Sequence, residues 1–83
     1  MILIDVRTRE EFDASHAIGA TNIPPGSIND SNLLPSNYEV EIGVYCRSGS
    51  RSSIASAELA ALGYTNVLNI GGLNDAIDLV GEE

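Results

Sequence analysis

The chain has no lysine, one cysteine, one histidine and no apolar run longer than a few residues. Each shortage excludes something. A single cysteine cannot form an intramolecular disulfide, so disulfides give no indication of compartment. Any covalent intermediate on that thiol must be resolved by a nucleophile from another molecule. No stretch approaches the roughly 20 apolar residues of a bilayer-crossing helix. No signal-like leader is visible, since Met1-Ile2-Leu3-Ile4 runs straight into Asp5. His, Cys and carboxylate residues nowhere fall at metal-ligand spacing, and there is no Gly-Lys phosphate loop, so no metal or cofactor is expected. Positive charge is scarce as well: 4 arginines face 12 acidic residues, for a net charge of −8. That field repels nucleic acid and anionic membrane surfaces, and neither is expected as a partner.

What remains suits one small domain over residues 1–83, expected to be a monomer. A chain this short buries only roughly 60–65% of its unfolded surface, so stability should be modest. The 43% hydrophobic content is too high for a disordered acidic tail. Ile2 to Val6 is nearly continuous apolar and β-branched, as in a strand covered on both faces. Thr8 and Glu11 have capping-box spacing, which predicts a short helix over Arg9 to Ala14 with Phe12 on its buried side. Thr21-Asn22-Ile23 reads as a short strand stopped by Pro24-Pro25-Gly26. Residues 28–38 are irregular, with a helical turn expected around Asn32 to Leu34. Ile42 to Tyr45 is a strand, and Ser52 to Leu62 a helix ended by Gly63. Val67 to Ile70 is a strand, Gly71-Gly72 a turn, and Leu73 to Val80 a last helix. Strands alternating with helices imply a parallel sheet in a three-layer α/β/α arrangement.

The stretch Cys46-Arg47-Ser48-Gly49-Ser50-Arg51 holds the only thiol and half of the basic residues. It links a strand to a helix, where backbone N–H groups converge and the helix dipole is positive. Such sites lower a cysteine pKa from about 8.5 to roughly 3.5–7.5. Cys46 is therefore read as a nucleophile with an anionic substrate or intermediate. Gly49 supplies backbone freedom for a tight cradle. Ser48, Ser50 and Ser52 fit a crowded loop and can donate hydrogen bonds. Arg47 and Arg51 offer forked donors to sulfonate or phosphate oxygens. Arg51 sits at a helix start, a poor place for a cation unless an anion lies nearby. The competing readings are an inert buried thiol and a solvated Arg47. These residues do not by themselves choose sulfur over phosphorus.

Four blocks resemble the single-domain rhodaneses, in that family's order. They are Leu3-Ile4-Asp5-Val6-Arg7 with Glu11-Phe12; His16 to Pro24; Val44 to Ser52; and Gly63-Tyr64 with Val67 and Gly71-Gly72-Leu73. The short form beginning at the first strand is most similar to phage-shock-type thiosulfate sulfurtransferases. The resemblance implies a rhodanese-like fold and ping-pong transfer. The Cys46 thiolate takes a sulfane sulfur from thiosulfate and passes it from a persulfide to cyanide or to a small or protein thiol. It implies that Arg47 to Ser52 hold the donor and the persulfide. It also implies a periplasmic location if a leader is removed, and a cytoplasmic one otherwise. The Cys-x4-Arg spacing is one residue shorter than the Cys-x5-Arg loop of related phosphatases and arsenate reductases. The alternatives kept open are a phosphatase and a non-catalytic binding, regulatory or sulfur-carrier domain.

This chain departs from the family pattern at several points. It has no helix and strand before the first block and no terminal tryptophan. Ala17 follows His16 in place of isoleucine. Gly43 lies inside the strand leading to Cys46, where it should weaken that strand. Arg7 and Glu11 are spaced to pair across the first helix start, and Asp5 and Arg7 are read as structural rather than substrate-binding. His16 is expected to be a hydrogen-bonded fold residue. Tyr45 and Tyr64 are expected to pack with their hydroxyls at the surface.

Overall fold

A computed structural model describes all 83 residues. Four parallel strands form one sheet in the order β2-β1-β3-β4, with β1 at Ile2–Asp5, β2 at Thr21–Asn22, β3 at Ile42–Cys46 and β4 at Val67–Gly72. Helices α1 (Arg9–Ala14), α2 (Ser50–Ala61) and α3 (Leu73–Val80) connect or follow them. The architecture is the expected α/β one. No helix is long and apolar enough to cross a membrane.

β1 and β3 are central and covered on both faces, which is why both read as unbroken apolar runs. On one face Ile4, Val6, Ile42, Val44 and Cys46 pack with Ala55 and Leu59 of α2, and with Ile23, Ile28 and Tyr64. On the other, Leu3 and Tyr45 pack with Ala17 and with Ala76 of α3. The alternation along β3 puts the Cys46 side chain on the α2 face. Gly43 does not leave a gap on the α3 face. A Cβ there would lie 2.5 Å from Ile70 Cδ1 and 2.5 Å from Met1 Sδ, so those two side chains close over the strand where glycine leaves room.

The capping box forms as expected: Glu11 N–H donates to Thr8 Oγ1 at 3.2 Å, and Thr8 N–H donates to Glu11 Oε1 at 3.0 Å. Phe12 is only partly buried and stacks on His16, ring centroids 3.8 Å apart. His16 Nδ1 lies 2.8 Å from the Phe12 carbonyl oxygen, as a fold residue should.

Five expectations are corrected. The helical turn is a 3-10 turn at Ile28–Asp30, not at Asn32 to Leu34, because fully buried Ile28 anchors that segment. α2 starts at Ser50 rather than Ser52. Gly71-Gly72 is not a separate turn: the ladder continues as Tyr45↔Gly71 and Cys46↔Gly72 after a register shift. Arg7 pairs with Asp5, not Glu11, with Nη2 2.7 Å from Asp5 Oδ2 and 2.6 Å from the Ser15 carbonyl, a buried clamp on the first loop. Neither tyrosine hydroxyl is at the surface. Tyr45 is fully buried, its oxygen accepts from Ala17 N–H at 3.1 Å, and burial pushes its pKa up to about 12. The Tyr64 hydroxyl donates to the Pro35 carbonyl.

Candidate active site

β3 delivers Cys46 to the carboxyl end of the sheet, and α2 begins only four residues later. The chain must reverse within that span. Gly49 does so with φ +98°, a left-handed conformation that strains residues with a Cβ. The reversal turns N–H groups inward. Gly49 N–H donates to Cys46 Sγ at 2.9 Å. Burial alone would push the thiol up. The dipoles of the Ser52 hydroxyl and of the Ser52, Ser48 and Gly49 N–H groups, the last bonded to the sulfur, outweigh it and bring the pKa down to about 7. A large thiolate fraction therefore exists at neutral pH without any neighbouring base.

A second layer fixes this cup. Asn69 Oδ1 lies 2.7 Å from Ser52 Oγ and accepts from Gly71 N–H at 3.1 Å, while Asn69 Nδ2 donates to the Gly49 carbonyl at 3.3 Å. The β4 glycines back the loop closely. A Cβ on Gly72 would sit 2.7 Å from the Arg47 carbonyl oxygen, and one on Gly49 would sit 3.5 Å from Gly71 Cα. Asn69 is not among the residues that the sequence marks out for the site. Its only local signal is a polar residue interrupting the apolar run from Val67 to Ile70.

The rim differs from the floor. Arg51, in the first turn of α2, binds Glu11 through both fork nitrogens, Nη1 to Oε1 at 3.0 Å and Nη2 to Oε2 at 3.3 Å. This supplies the anion that its position at a helix start calls for. Arg51, then the Thr8 N–H, hold the Glu11 carboxyl down to about 2. Arg7 and Arg9 pair with Asp5 and Asp13, so Arg47, exposed, is the one arginine without a carboxylate partner. Ser48 and Ser50 are exposed, whereas Ser52 is fully buried beside the sulfur. Cys46 itself has no exposed surface, so the rim must give before a reactant touches Sγ. Next to Arg51 lies a cavity of about 190 Å³ walled by Val6, Pro24, Ile28, Ile54 and Ala55, with Glu58 as its other charged member.

The family model described as Rhodanese-like domain matches residues 1–77. The chain belongs to the rhodanese family. It is 38% identical over 74 residues to the thiosulfate sulfurtransferase PspE of Escherichia coli, covering 87% of this chain and 70% of that protein. It is 35% identical over 69 residues to the putative sulfur carrier protein YrkF of Bacillus subtilis, covering 82% of this chain and only 36% of that longer protein. Among solved structures, an E. coli rhodanese with anions superposes with a TM-score of 0.80 at 32% identity, covering 99% of this chain and 95% of that one. The rhodanese-like fold and a kinship with sulfurtransferases are thereby established.

Proposed function

We propose that this rhodanese is a thiosulfate sulfurtransferase working through a persulfide on Cys46. The observation that carries the proposal is the hydrogen-bonded cup that brings the Cys46 thiol to about 7. The thiolate attacks the outer sulfur of thiosulfate, a new S–S bond forms, and the old one breaks with its electron pair leaving on sulfite. The terminal persulfide sulfur then carries the negative charge in place of the thiolate. Cyanide or a thiolate acceptor takes that sulfur and returns the electron pair to Cys46. No general base is needed, because at a pKa of about 7 a substantial share of the thiol is ionised at neutral pH. The Ser48, Gly49 and Ser52 N–H groups lie beside Sγ, so the donors for the developing charge are in place once the rim has given way to the reactant. Arg47 and Arg51 attract and hold the donor anion.

The test is intact mass. Thiosulfate should add one sulfur atom to the protein and cyanide should remove it, with neither change in Cys46→Ser. Transfer that survives in Cys46→Ser contradicts the mechanism. A second reading, a sulfur-carrying or regulatory domain, is favoured by the likeness to YrkF. It predicts either no persulfide in the folded protein, or a persulfide that a small acceptor does not turn over.

A further inference from the structure

The Glu11–Arg51 pair has a consequence for donor binding that rests on the sulfur-transfer reading. Both nitrogens of the Arg51 fork are occupied by Glu11. Glu11 is fixed: Thr8 N–H and Thr8 Oγ1 both bond Oε1, at 3.0 and 3.1 Å, and α1 begins right behind them. Arg51 is the longer side chain of the two, with more rotatable bonds, and it lines the cavity beside the loop. An anion arriving at the rim meets a guanidinium that is already neutralised, with only Arg47 unpaired.

We propose that Glu11 sets donor affinity: it is a built-in counter-anion that holds Arg51 in the resting protein, and an anionic donor binds by taking Arg51 from it. Glu11 touches no reacting atom. It penalises ground-state binding of anions and leaves the sulfur chemistry at Cys46 unchanged. The guanidinium changes partner rather than being desolvated afresh, so the cost is a competition between two anions.

Glu11→Gln tests this, because a glutamine carbonyl still accepts from Thr8 N–H and keeps the helix start. With cyanide saturating and thiosulfate varied, KM should fall about two- to fivefold with kcat unchanged, the range expected for a partly exposed pair. KM should also climb more steeply with salt than in the unsubstituted protein. Glu58→Gln removes one charge from the wall of the same cavity without touching the Arg51 fork, and should change KM less. A second readout needs no turnover: sulfate should shield Cys46 from iodoacetamide at lower concentration in Glu11→Gln. An unchanged or raised KM in folded Glu11→Gln overturns the proposal, as does an equal effect from Glu58→Gln or the absence of sulfate protection in both proteins. If the unsubstituted protein forms no persulfide, the sulfur-transfer reading fails and the sulfate measurement still decides the role of Glu11.

Discussion

The floor and the rim of the 46–52 loop solve different electrostatic problems. The floor is uncharged. Backbone N–H groups and the Ser52 hydroxyl surround one sulfur at short range, and they outweigh its burial. The rim is ionic, with Arg51 tied to Glu11 and Arg47 left exposed. Groups that the fold fixes in place therefore set the ionisation of the thiol, while the charged side chains lie at the rim, where the proposed donor would arrive. The lesson is that basic residues beside a reactive cysteine need not be what activates it.

Breaking the floor should have the largest effect. In Gly72→Ala the added Cβ would press on the Arg47 carbonyl at 2.7 Å. Backbone cannot yield as a side chain does, so the loop must shift, at about 1–3 kcal/mol of stability. Thermal melting should register that cost, and the Cys46 alkylation midpoint should rise toward that of an ordinary thiol. Ser52→Ala is gentler. It removes the hydroxyl beside the sulfur and frees Asn69 Oδ1 from its 2.7 Å contact. The alkylation midpoint should rise by roughly one pH unit, since one unit equals about 1.4 kcal/mol of preference for the thiolate.

The rim should respond differently. Arg51→Ala should raise the thiosulfate KM severalfold yet move the alkylation midpoint less than Ser52→Ala does. A larger shift from Arg51→Ala would reverse the division between floor and rim. The smallest effect concerns stability in acid. The folded pKa of Glu11 lies at about 2, below its ordinary 4.5. Its contribution is therefore fully present above the unfolded value and lost as pH falls through the folded one. Melting temperature should drop more between those two values in the unsubstituted protein than in Glu11→Gln. Equal acid sensitivity would show that the pair adds nothing measurable.

Much of this was legible along the chain. Thr8 and Glu11 announced the first helix because the capping box is contained in four consecutive residues, and the unbroken apolar runs of β1 and β3 announced a sheet covered on both faces. The turn holding Cys46 was legible because its polar and basic residues contrast with the strand before it. What lay hidden depends on distance in sequence. Glu11 pairs with a residue 40 positions away rather than with the nearby Arg7, whose guanidinium folds back onto Asp5. Asn69 supports the loop from a strand that is its neighbour only in the folded sheet. The tyrosine hydroxyls looked like surface groups because an amphipathic side chain does not reveal where its polar end finds a partner.

The rate of Cys46 alkylation by iodoacetamide as a function of pH tests the central claim most directly. A single titration is expected, with its midpoint near 7, unchanged in Glu11→Gln and raised in Ser52→Ala. A midpoint at or above about 8.5, the ordinary value for a free cysteine, would contradict it.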